Sequence, residues 1–247
     1  MTSVFRKEYT LTDNLTDPFG RAKPSTLLSF VQDAAGEHCL LLGADWQTLQ
    51  EKNLFWAVTR YRVEISRLPR LGETVTLETW PMPTSRVAYP RAAVCYDQEG
   101  TILFRVISLW VLMDTLNRSM VLPGKSGVPV DGILRGGELD LPRALPLETG
   151  ENRLSRQVMF SELDRNCHMN NTRYLDWAMD LLPSSYHREH TLQSFTVSYL
   201  SEATENMSVQ LDWTLTEEGL FTMNGLREET SVSCKQDRIF GVQMRFL

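Results

Sequence analysis

The stretch RYLDWAMDLLP at residues 173–183 decides the fold, because its apolar side chains recur with the period of an α-helix. The side chains at positions i, i+3, i+4 and i+7 are Tyr174, Trp177, Ala178 and Leu181. An earlier stretch, PSTLLSFVQDA at residues 24–34, begins with a proline and a serine, which suit a helix start. Its face repeats the same spacing with Leu27, Phe30, Val31 and Ala34. The sequence therefore predicts two related helices, offset by 147 residues.

Each predicted helix is followed by segments in which apolar and polar residues alternate, as they do in β-strands. After the first helix these segments are 56–66, 73–80, 91–100 and 102–114, with a hairpin turn at Glu99-Gly100. After the second helix they are 192–200, 207–215, 219–227 and 230–246. A helix followed by antiparallel strands, present twice, indicates an internal duplication. The predicted fold is α+β, a double hotdog in which each of two tandem domains has a long helix wrapped by a curved antiparallel sheet.

The strands of the two halves superpose at an offset of 134 residues, so the first half has 13 extra residues between helix and strand. They span roughly Gly43 to Phe55, and we interpret them as a candidate lid. Between the halves, residues 119–152 are rich in glycine and proline, which regular elements do not tolerate. We predict an N-terminal domain at 1–130, a linker at 131–152 and a C-terminal domain at 153–247.

Composition excludes several classes of protein. With 42% hydrophobic and 23% charged residues, the 247-residue chain is typical of a globular protein, and no apolar run approaches the ~18 residues of a membrane helix. The net charge of −6 disfavours nucleic-acid binding, and it is uneven: residues 1–130 carry 14 Lys and Arg against 13 Asp and Glu. The four cysteines lack the spacing of a metal site or a disulfide framework, so we expect free thiols and no metal. The polar N-terminus does not resemble a signal peptide, which favours a cytoplasmic location.

The densest polar cluster is DRNCHMNN at residues 164–171, directly before the second helix. Asn170 or Asn171 suits an N-cap, and in an extended loop Asp164, Asn166 and His168 would share one face. An amide near a helix N-terminus can stabilise an oxyanion, and a histidine beside it can transfer a proton. Taken singly, a turn or capping role explains each of these three residues as well as catalysis does.

The duplication shifts that balance towards function. At the helix offset, Asn166 and His168 correspond to Phe19 and Arg21, so folding does not require the amide or the imidazole. Glu202, after the first strand of the second half, corresponds to Leu68. From spacing alone, a surface glutamate in a turn is the simpler interpretation of Glu202. A nucleophilic role for Cys167 is disfavoured because neighbouring residues of an extended loop point in opposite directions, so we expect Cys167 to pack.

Nearly the whole chain resembles the plant-type and bacterial acyl-[acyl-carrier-protein] thioesterases. In the first half, FWAVTRYRVEISRLPRLGETVTLETWP and VISLWVLMDTLNRSMVLP resemble strands of that family. In the second half, LDRNCHMNNTRYLDWAMDLLP resembles its long Asp-x-Asn-x-His-x-Asn-Asn-x-x-Tyr-x-x-Trp signature. The resemblance implies a double hotdog that hydrolyses the thioester between a fatty acyl chain and the phosphopantetheine arm of acyl carrier protein, without a cofactor.

The resemblance also implies the catalytic set Asp164, Asn166, His168 and Glu202. Plant members have a cysteine directly after this glutamate, whereas this chain has Ala203. A cysteine-protease-like mechanism is therefore excluded unless Cys167 substitutes, and we expect direct attack by water. Asn166 and backbone N–H groups would hold the oxyanion, either Glu202 or His168 would act as the base, and Asp164 would orient them or the water.

The first half is the expected source of the acyl-chain site and of the carrier-docking surface. The residues proposed to line the acyl site are Leu27, Phe30, Val31 and Trp56, although core packing alone explains each of them. Acyl carrier proteins are generally acidic, so docking calls for a basic patch. The candidates are Arg60, Arg62, Arg67, Arg70, Arg86 and Arg91, and their alternative is a solvated strand face.

Three other functions are alternatives to acyl-[acyl-carrier-protein] hydrolysis. A hotdog hydrolase acting on acyl-coenzyme A would carry the same chemistry on a different carrier. A non-catalytic acyl-binding module would need none of the four polar residues, and a dehydratase fits the signature less well. The sequence leaves open the preferred acyl chain, the identity of the base, and whether the protein is a monomer or a homodimer.

Overall fold

The structure, a computed structural model, describes residues 3–130, 132–228 and 237–247. The chain divides into two compact units, Met1–Pro142 and Arg143–Leu247. The division falls within the segment predicted as a linker.

Among its described residues, the first unit contains six strands and three α-helices. In chain order they are β1 (Phe5–Thr10), α1 (Pro24–Leu41), α2 (Trp46–Gln50), β2 (Leu54–Ile65), β3 (Thr74–Pro81), β4 (Tyr89–Tyr96), β5 (Ile102–Asp114), β6 (Met120–Val121) and α3 (Pro123–Ser126). The strands are antiparallel in the order β1-β3-β4-β5-β2, and β6 pairs with β5. The short elements β6 and α3 lie within 119–152, which the sequence predicted to be irregular throughout.

The second unit repeats this order with five strands and two helices among its described residues. They are β7 (Asn152–Gln157), α4 (Arg173–Asp180), α5 (Ser184–Glu189), β8 (Leu192–Tyr199), β9 (Ser208–Leu215), β10 (Leu220–Arg227) and β11 (Arg238–Phe246). The sheet order is β7-β9-β10-β11-β8, which matches the order of the first unit strand for strand. Residues 229–236, at the start of the last predicted strand, lie outside the described residues.

Both predicted helix faces are buried except at Leu181, which is half-buried and lies just beyond the end of α4. Leu27, Phe30 and Val31 of α1 and Tyr174 and Trp177 of α4 are each at most 6% exposed. The second helix is shorter, with 8 residues against 18, because Leu181 ends it and Pro183 follows within two residues. A new helix, α5, then begins after Pro183.

The predicted hairpin between β4 and β5 is present, and Asp97 forms it. The Oδ1 atom of Asp97 accepts hydrogen bonds from the N–H groups of Glu99 (3.0 Å) and Thr101 (2.8 Å). Gly100 has φ +82°, a left-handed conformation that glycine adopts without steric cost.

The insertion after α1 forms the short helix α2. Asp45 caps it, accepting hydrogen bonds from the N–H groups of Gln47 and Thr48. Leu49 is buried in a cluster with Leu54, Tyr89 and Leu112. The role of this insertion as a lid stays a prediction.

Candidate functional site

The cluster predicted from the sequence lies in a tight turn between a 3-10 turn at Phe160–Glu162 and α4. The Asp164 N–H donates to the His168 carbonyl (2.8 Å), and Leu163 pairs with Met169 in an isolated antiparallel bridge. The Asp164 Oδ1 atom accepts a hydrogen bond from the Asn166 N–H at 2.8 Å. The loop is therefore folded back on itself rather than extended, contrary to the prediction.

Cys167 has φ +61° and is exposed, so the expectation that it packs is wrong. Its left-handed conformation is the one that closes the turn, and its N–H donates to the Asp164 carbonyl at 3.0 Å. Neighbouring side chains of such a turn do not alternate as they do in a strand.

The first unit contains the same turn without the amide and the imidazole. Asp17 Oδ1 accepts hydrogen bonds from the N–H groups of Phe19 (2.8 Å) and Arg21 (3.0 Å). Gly20, at the position of Cys167, has φ +71°, and Thr16 pairs with Ala22 as Leu163 does with Met169. Asp164 thus forms the turn in the second unit as Asp17 does in the first, whereas the turn needs neither an amide nor an imidazole.

His168 and Glu202 are brought together, with 3.2 Å between His168 Nε2 and Glu202 Oε2. Backbone pairing places them, because His168 pairs with Thr204 in an isolated bridge and the Met169 N–H donates to the Ala203 carbonyl at 2.8 Å. The two side chains are 22% and 47% exposed, so a substrate can reach them. An imidazole beside a carboxylate can take a proton from water and hold it.

The corresponding backbone contacts of the first unit carry no such pair. The backbones of Arg21 and Arg70 form an isolated antiparallel bridge, and the Ala22 N–H donates to the Pro69 carbonyl at 2.8 Å. At the position of Glu202, Leu68 is 8% exposed. The scaffold is therefore common to both units, and the His–Glu pair belongs to the second alone.

The amide of Asn166 is held through Asp164. The Asn166 Nδ2 atom lies 3.4 Å from Asp164 Oδ2, and the Asn166 side chain is exposed. Thr172 occupies the N-cap position of α4, rather than the predicted Asn170 or Asn171. Asn170 lies two residues earlier, where its Oδ1 atom accepts a hydrogen bond from the Thr172 N–H at 2.9 Å. Asn166 and His168 thus lie on one short loop just before α4, and Glu202 contacts His168 from the segment that follows β8.

A supporting residue that the sequence did not single out is Glu162. Its Oε1 accepts a hydrogen bond from Trp177 Nε1 (2.5 Å), and its Oε2 accepts one from the Met159 N–H (2.9 Å). Its carbonyl accepts from the Asn170 N–H at 2.8 Å, at the far end of the loop. The first unit has Leu15 here, so comparison of the two halves could have identified Glu162 as a further polar residue specific to the second.

The residues proposed for the acyl chain belong to the interior of the first unit. Leu27, Phe30 and Val31 lie on the buried face of α1. Trp56 on β2 is half-buried, and its Nε1 donates to the Ala44 carbonyl at 2.9 Å. Their burial fits both a core role and a role in lining an acyl site, so the latter stays a prediction.

Arg91 cannot belong to a docking surface, which corrects one member of the predicted basic patch. It is 6% exposed, and its Nη1 lies 3.2 Å from His38 Nδ1 and 3.3 Å from Thr79 Oγ1. Burial lowers the pKa of its guanidinium. Strand alternation could not reveal this, because β4 is buried on both faces along most of its length.

The other five arginines differ in how they are engaged. Arg62 pairs with Glu64 (2.6 Å), and Arg67 pairs with Glu73 (2.7 Å). Arg67, Arg70 and Arg86 are exposed, whereas Arg60 is half-buried.

Among residues 3–130, 132–228 and 237–247, no group of three or more His, Cys, Asp or Glu side chains is arranged to hold a metal ion. Cys39, Cys95 and Cys167 are free thiols, and Cys234 lies outside the described residues. Within the same part of the chain, no helix is both long enough and apolar enough to cross a membrane.

Comparison with known proteins identifies the family. The profile of the acyl-ACP thioesterase N-terminal domain matches residues 2–122, and that of the C-terminal domain matches residues 148–240. The chain is 26% identical over 247 residues to a chloroplastic dodecanoyl-[acyl-carrier-protein] hydrolase of Cinnamomum camphora. That alignment covers 94% of this chain and 63% of the relative, so the chain spans less than two thirds of its length.

Two solved structures have the same fold. An acyl-ACP thioesterase from Bacteroides thetaiotaomicron superposes with a TM-score of 0.87 at 19% identity, covering 99% of this chain and 98% of that one. The 12:0-ACP thioesterase from Umbellularia californica gives 0.83 at 22% identity, with coverage of 100% and 98%. These likenesses confirm the predicted double-hotdog fold. With both of its domain profiles matched, this chain belongs to the acyl-ACP thioesterase family.

Proposed function

We propose that this protein hydrolyses the thioester of a fatty acyl-[acyl-carrier-protein], releasing the free fatty acid and the carrier with its phosphopantetheine thiol. The observation that carries the proposal is the His168–Glu202 contact of 3.2 Å, on a scaffold whose duplicate has neither residue. A non-catalytic binding module would have no use for such a pair. Membership of the family supports the substrate class.

The proposed mechanism is direct attack by water on the thioester carbonyl. His168 and Glu202 act together as the base that takes the proton from the water, and the imidazole can return it to the departing thiolate. Asn166 donates a hydrogen bond to the developing oxyanion. Asp164 fixes the turn that presents both Asn166 and His168, as its hydrogen bond to the Asn166 N–H supports. A thiolate leaves readily, so positioning and charge stabilisation suffice.

The function is tested by measuring free fatty acid release from a panel of acyl carrier protein and coenzyme A thioesters of graded chain length. We expect hydrolysis, with a higher kcat/KM for the carrier-protein thioesters. A higher kcat/KM for the coenzyme A thioesters would support the same hydrolysis but would make acyl-coenzyme A the substrate. Absence of hydrolysis on every substrate would leave the acyl-binding module as the better interpretation.

Cys167 supplies a test of direct water attack against a covalent route. Cys167→Gly and Cys167→Ala both remove the thiol, so both should retain wild-type kcat. The left-handed backbone at this position costs other residues roughly 1–2 kcal/mol of folding free energy, and glycine avoids this cost. Glycine in turn loses ~0.5–1 kcal/mol because its unfolded chain has more conformational freedom. We therefore expect Cys167→Gly to raise the free energy of unfolding by about 0.5 kcal/mol relative to Cys167→Ala. Loss of turnover in both variants, or a trapped acyl-enzyme in the wild type, would contradict direct attack.

The first unit is proposed to bind the acyl chain, through Leu27, Phe30, Val31 and Trp56, and to dock the carrier. Arg91 is buried and Arg67 is paired with Glu73, so the exposed residues Arg70 and Arg86 are the members of the docking set chosen for the test. Charge complementarity with an acidic partner mainly raises the rate at which the two proteins associate.

Charge reversal tests the docking surface. Arg70→Glu with Arg86→Glu should raise KM for acyl carrier protein thioesters by about tenfold or more, since like charges facing each other at an interface cost several kcal/mol. A small acyl thioester analogue should be unaffected. Arg143→Glu with Arg188→Glu makes the same total charge change at exposed sites outside the set and serves as the control. Equal losses on both substrates would count against docking at Arg70 and Arg86.

A further inference from the structure

Glu162 joins the loop 164–168, which carries the proposed amide and imidazole, to helix α4. Its side chain is 12% exposed. Its Oε1 atom accepts a hydrogen bond of 2.5 Å from Nε1 of Trp177, a fully buried residue of α4. Its carbonyl accepts a hydrogen bond from the Asn170 N–H at 2.8 Å, just beyond the other end of the loop. One residue therefore contacts α4 with its side chain and closes the loop with its backbone.

Arg156 of β7 contacts the same indole from a second direction. Its guanidinium lies over the Trp177 ring, 4.9 Å from the centroid. The same guanidinium contacts Asp180 at 2.8 Å and Glu162 at 3.5 Å. The guanidinium thus constrains the face of the indole, while the Glu162 carboxylate holds its N–H. Hydrogen bonds to an ionised group such as this carboxylate are stronger than those between neutral groups.

The first unit joins strand and helix in a similar way, but without the carboxylate. At the helix offset, the residues that correspond to Arg156, Trp177, Asp180 and Glu162 are Tyr9, Phe30, Asp33 and Leu15. Tyr9 stacks on Phe30 with ring centroids 4.1 Å apart, and its hydroxyl donates to Asp33 at 2.7 Å. Leucine has no side-chain acceptor and phenylalanine has no N–H, so both partners of the Glu162–Trp177 hydrogen bond are missing together.

The equivalent loop of the first unit is attached to its helix by another hydrogen bond. The hydroxyl of Thr26, in α1, donates to the Leu15 carbonyl at 2.7 Å. Arg173 stands at the position of Thr26, so the second unit has no hydroxyl there. The hydrogen bond between Glu162 and Trp177 takes the place of this link in the unit that carries the proposed catalytic residues.

We propose that Glu162 is a positioning residue, which holds the loop 164–168 against α4 through its hydrogen bond to Trp177. This inference rests on the proposed function for its consequence in catalysis. The other side of the loop is fixed by the backbone contacts of His168 and Met169 with the segment after β8. A loop fixed on one side alone would let the imidazole shift, and misplacing a catalytic group by ~1 Å can cost up to ~10²-fold in rate.

The direct test compares Glu162→Ala with Glu162→Gln. Alanine removes the acceptor, so kcat should fall on the order of tenfold while KM changes less than about twofold. Glutamine keeps an oxygen that can accept the Trp177 N–H, so its kcat should stay within about threefold of that of the wild type. Wild-type kcat in Glu162→Ala would overturn the proposal. Equal losses in the two variants would mean that the charge matters rather than the hydrogen bond, and would overturn it as well.

Residues of the first unit, placed in the second, test the same link without leaving an unpaired donor. Glu162→Leu with Trp177→Phe reproduces the corresponding pair of the first unit and should lose kcat as Glu162→Ala does. Adding Arg173→Thr supplies the hydroxyl that Thr26 provides there, and should recover about threefold or more of the loss, the effect of one neutral hydrogen bond. A loss that Arg173→Thr does not recover would assign the effect to packing of the Trp177 ring and overturn the positioning role.

Tyr9→Phe is the matched control. It removes the hydroxyl that joins β1 to α1 in the other unit, where it donates to Asp33 at 2.7 Å. Its kcat should match that of the wild type. A loss equal to that of Glu162→Ala would mean that any weakened contact between strand and helix lowers kcat, and would overturn the proposal.

Amide hydrogen exchange separates this proposal from the proposed function. The N–H groups of Asn170 and Met169 join the loop to the carbonyls of Glu162 and Ala203. Their exchange rates should rise on the order of tenfold in Glu162→Ala and stay near the wild-type rates in Tyr9→Phe. Such a rise would support the positioning role even if no thioester is hydrolysed. Unchanged rates in Glu162→Ala would overturn that role even if the wild type is an active thioesterase.

Discussion

Replacing Glu202 with glutamine should lower kcat for thioester hydrolysis by roughly 10²- to 10⁴-fold, the usual contribution of a positioned acid or base. Glutamine keeps the size of the side chain and can still contact His168 Nε2, but it cannot accept a proton or stabilise an imidazolium. His168→Gln should have a loss of similar size, because the two side chains lie 3.2 Å apart and act as one unit. Steady-state kinetics on the preferred acyl thioester measure both effects.

The double variant decides whether the two residues share one function. If they form a single proton-accepting unit, Glu202→Gln combined with His168→Gln should cost little more than either change alone. Additive losses would mean that each residue acts in a separate step. Glu205→Gln is the matched control, since it neutralises an exposed carboxylate three residues further along the chain. A loss below tenfold in Glu202→Gln would exclude Glu202 as the base.

The two helix faces could be predicted because the buried side of a helix requires apolar residues at every third or fourth position, and this spacing is visible in the sequence. Leu27, Phe30 and Val31, and then Tyr174 and Trp177, follow that period and are buried as expected. The edge strands β1 and β7 were not predicted. Their sequences, FRKEYT and NRLSRQ, are mostly polar, and all but one residue of β7 are exposed. The burial of β1 does alternate, but only Phe5 and Tyr9 of its six residues are apolar or aromatic, which is too few to reveal a strand in the sequence.

The sequence suggests candidate site residues but not their geometry. Comparison of the two halves singles out His168 and Glu202, yet their contact depends on the bridge between His168 and Thr204, which no local pattern encodes. Periodicity identified Tyr174 as a core residue and could not reveal that Phe240 and Tyr199 pack against its ring. For the same reason Arg91 was taken for a surface residue, because its position in a strand does not reveal what covers it.

Asn166 provides the other large expected effect. Asn166→Ala should lower kcat by roughly 10²- to 10³-fold with little change in KM, the usual loss when one oxyanion donor is removed. The amide has two hydrogens, so one can face Asp164 Oδ2, 3.4 Å away, while the other faces the substrate oxygen. Asn166→Asp keeps the shape of the side chain and removes the donor, so it should be equally impaired.

The alternative, that Asn166 only shapes the turn, makes a different prediction for Asn166→Phe. The equivalent turn of the first unit carries Phe19, whose N–H bonds to Asp17 Oδ1 at 2.8 Å as that of Asn166 bonds to Asp164. Asn166→Phe should therefore retain a wild-type melting temperature and yet lose kcat as Asn166→Ala does. Unchanged kcat in the alanine variant would remove Asn166 from the oxyanion site. A phenylalanine variant that unfolds while the alanine variant stays active would assign the residue to the turn, and backbone N–H groups would then have to stabilise the oxyanion.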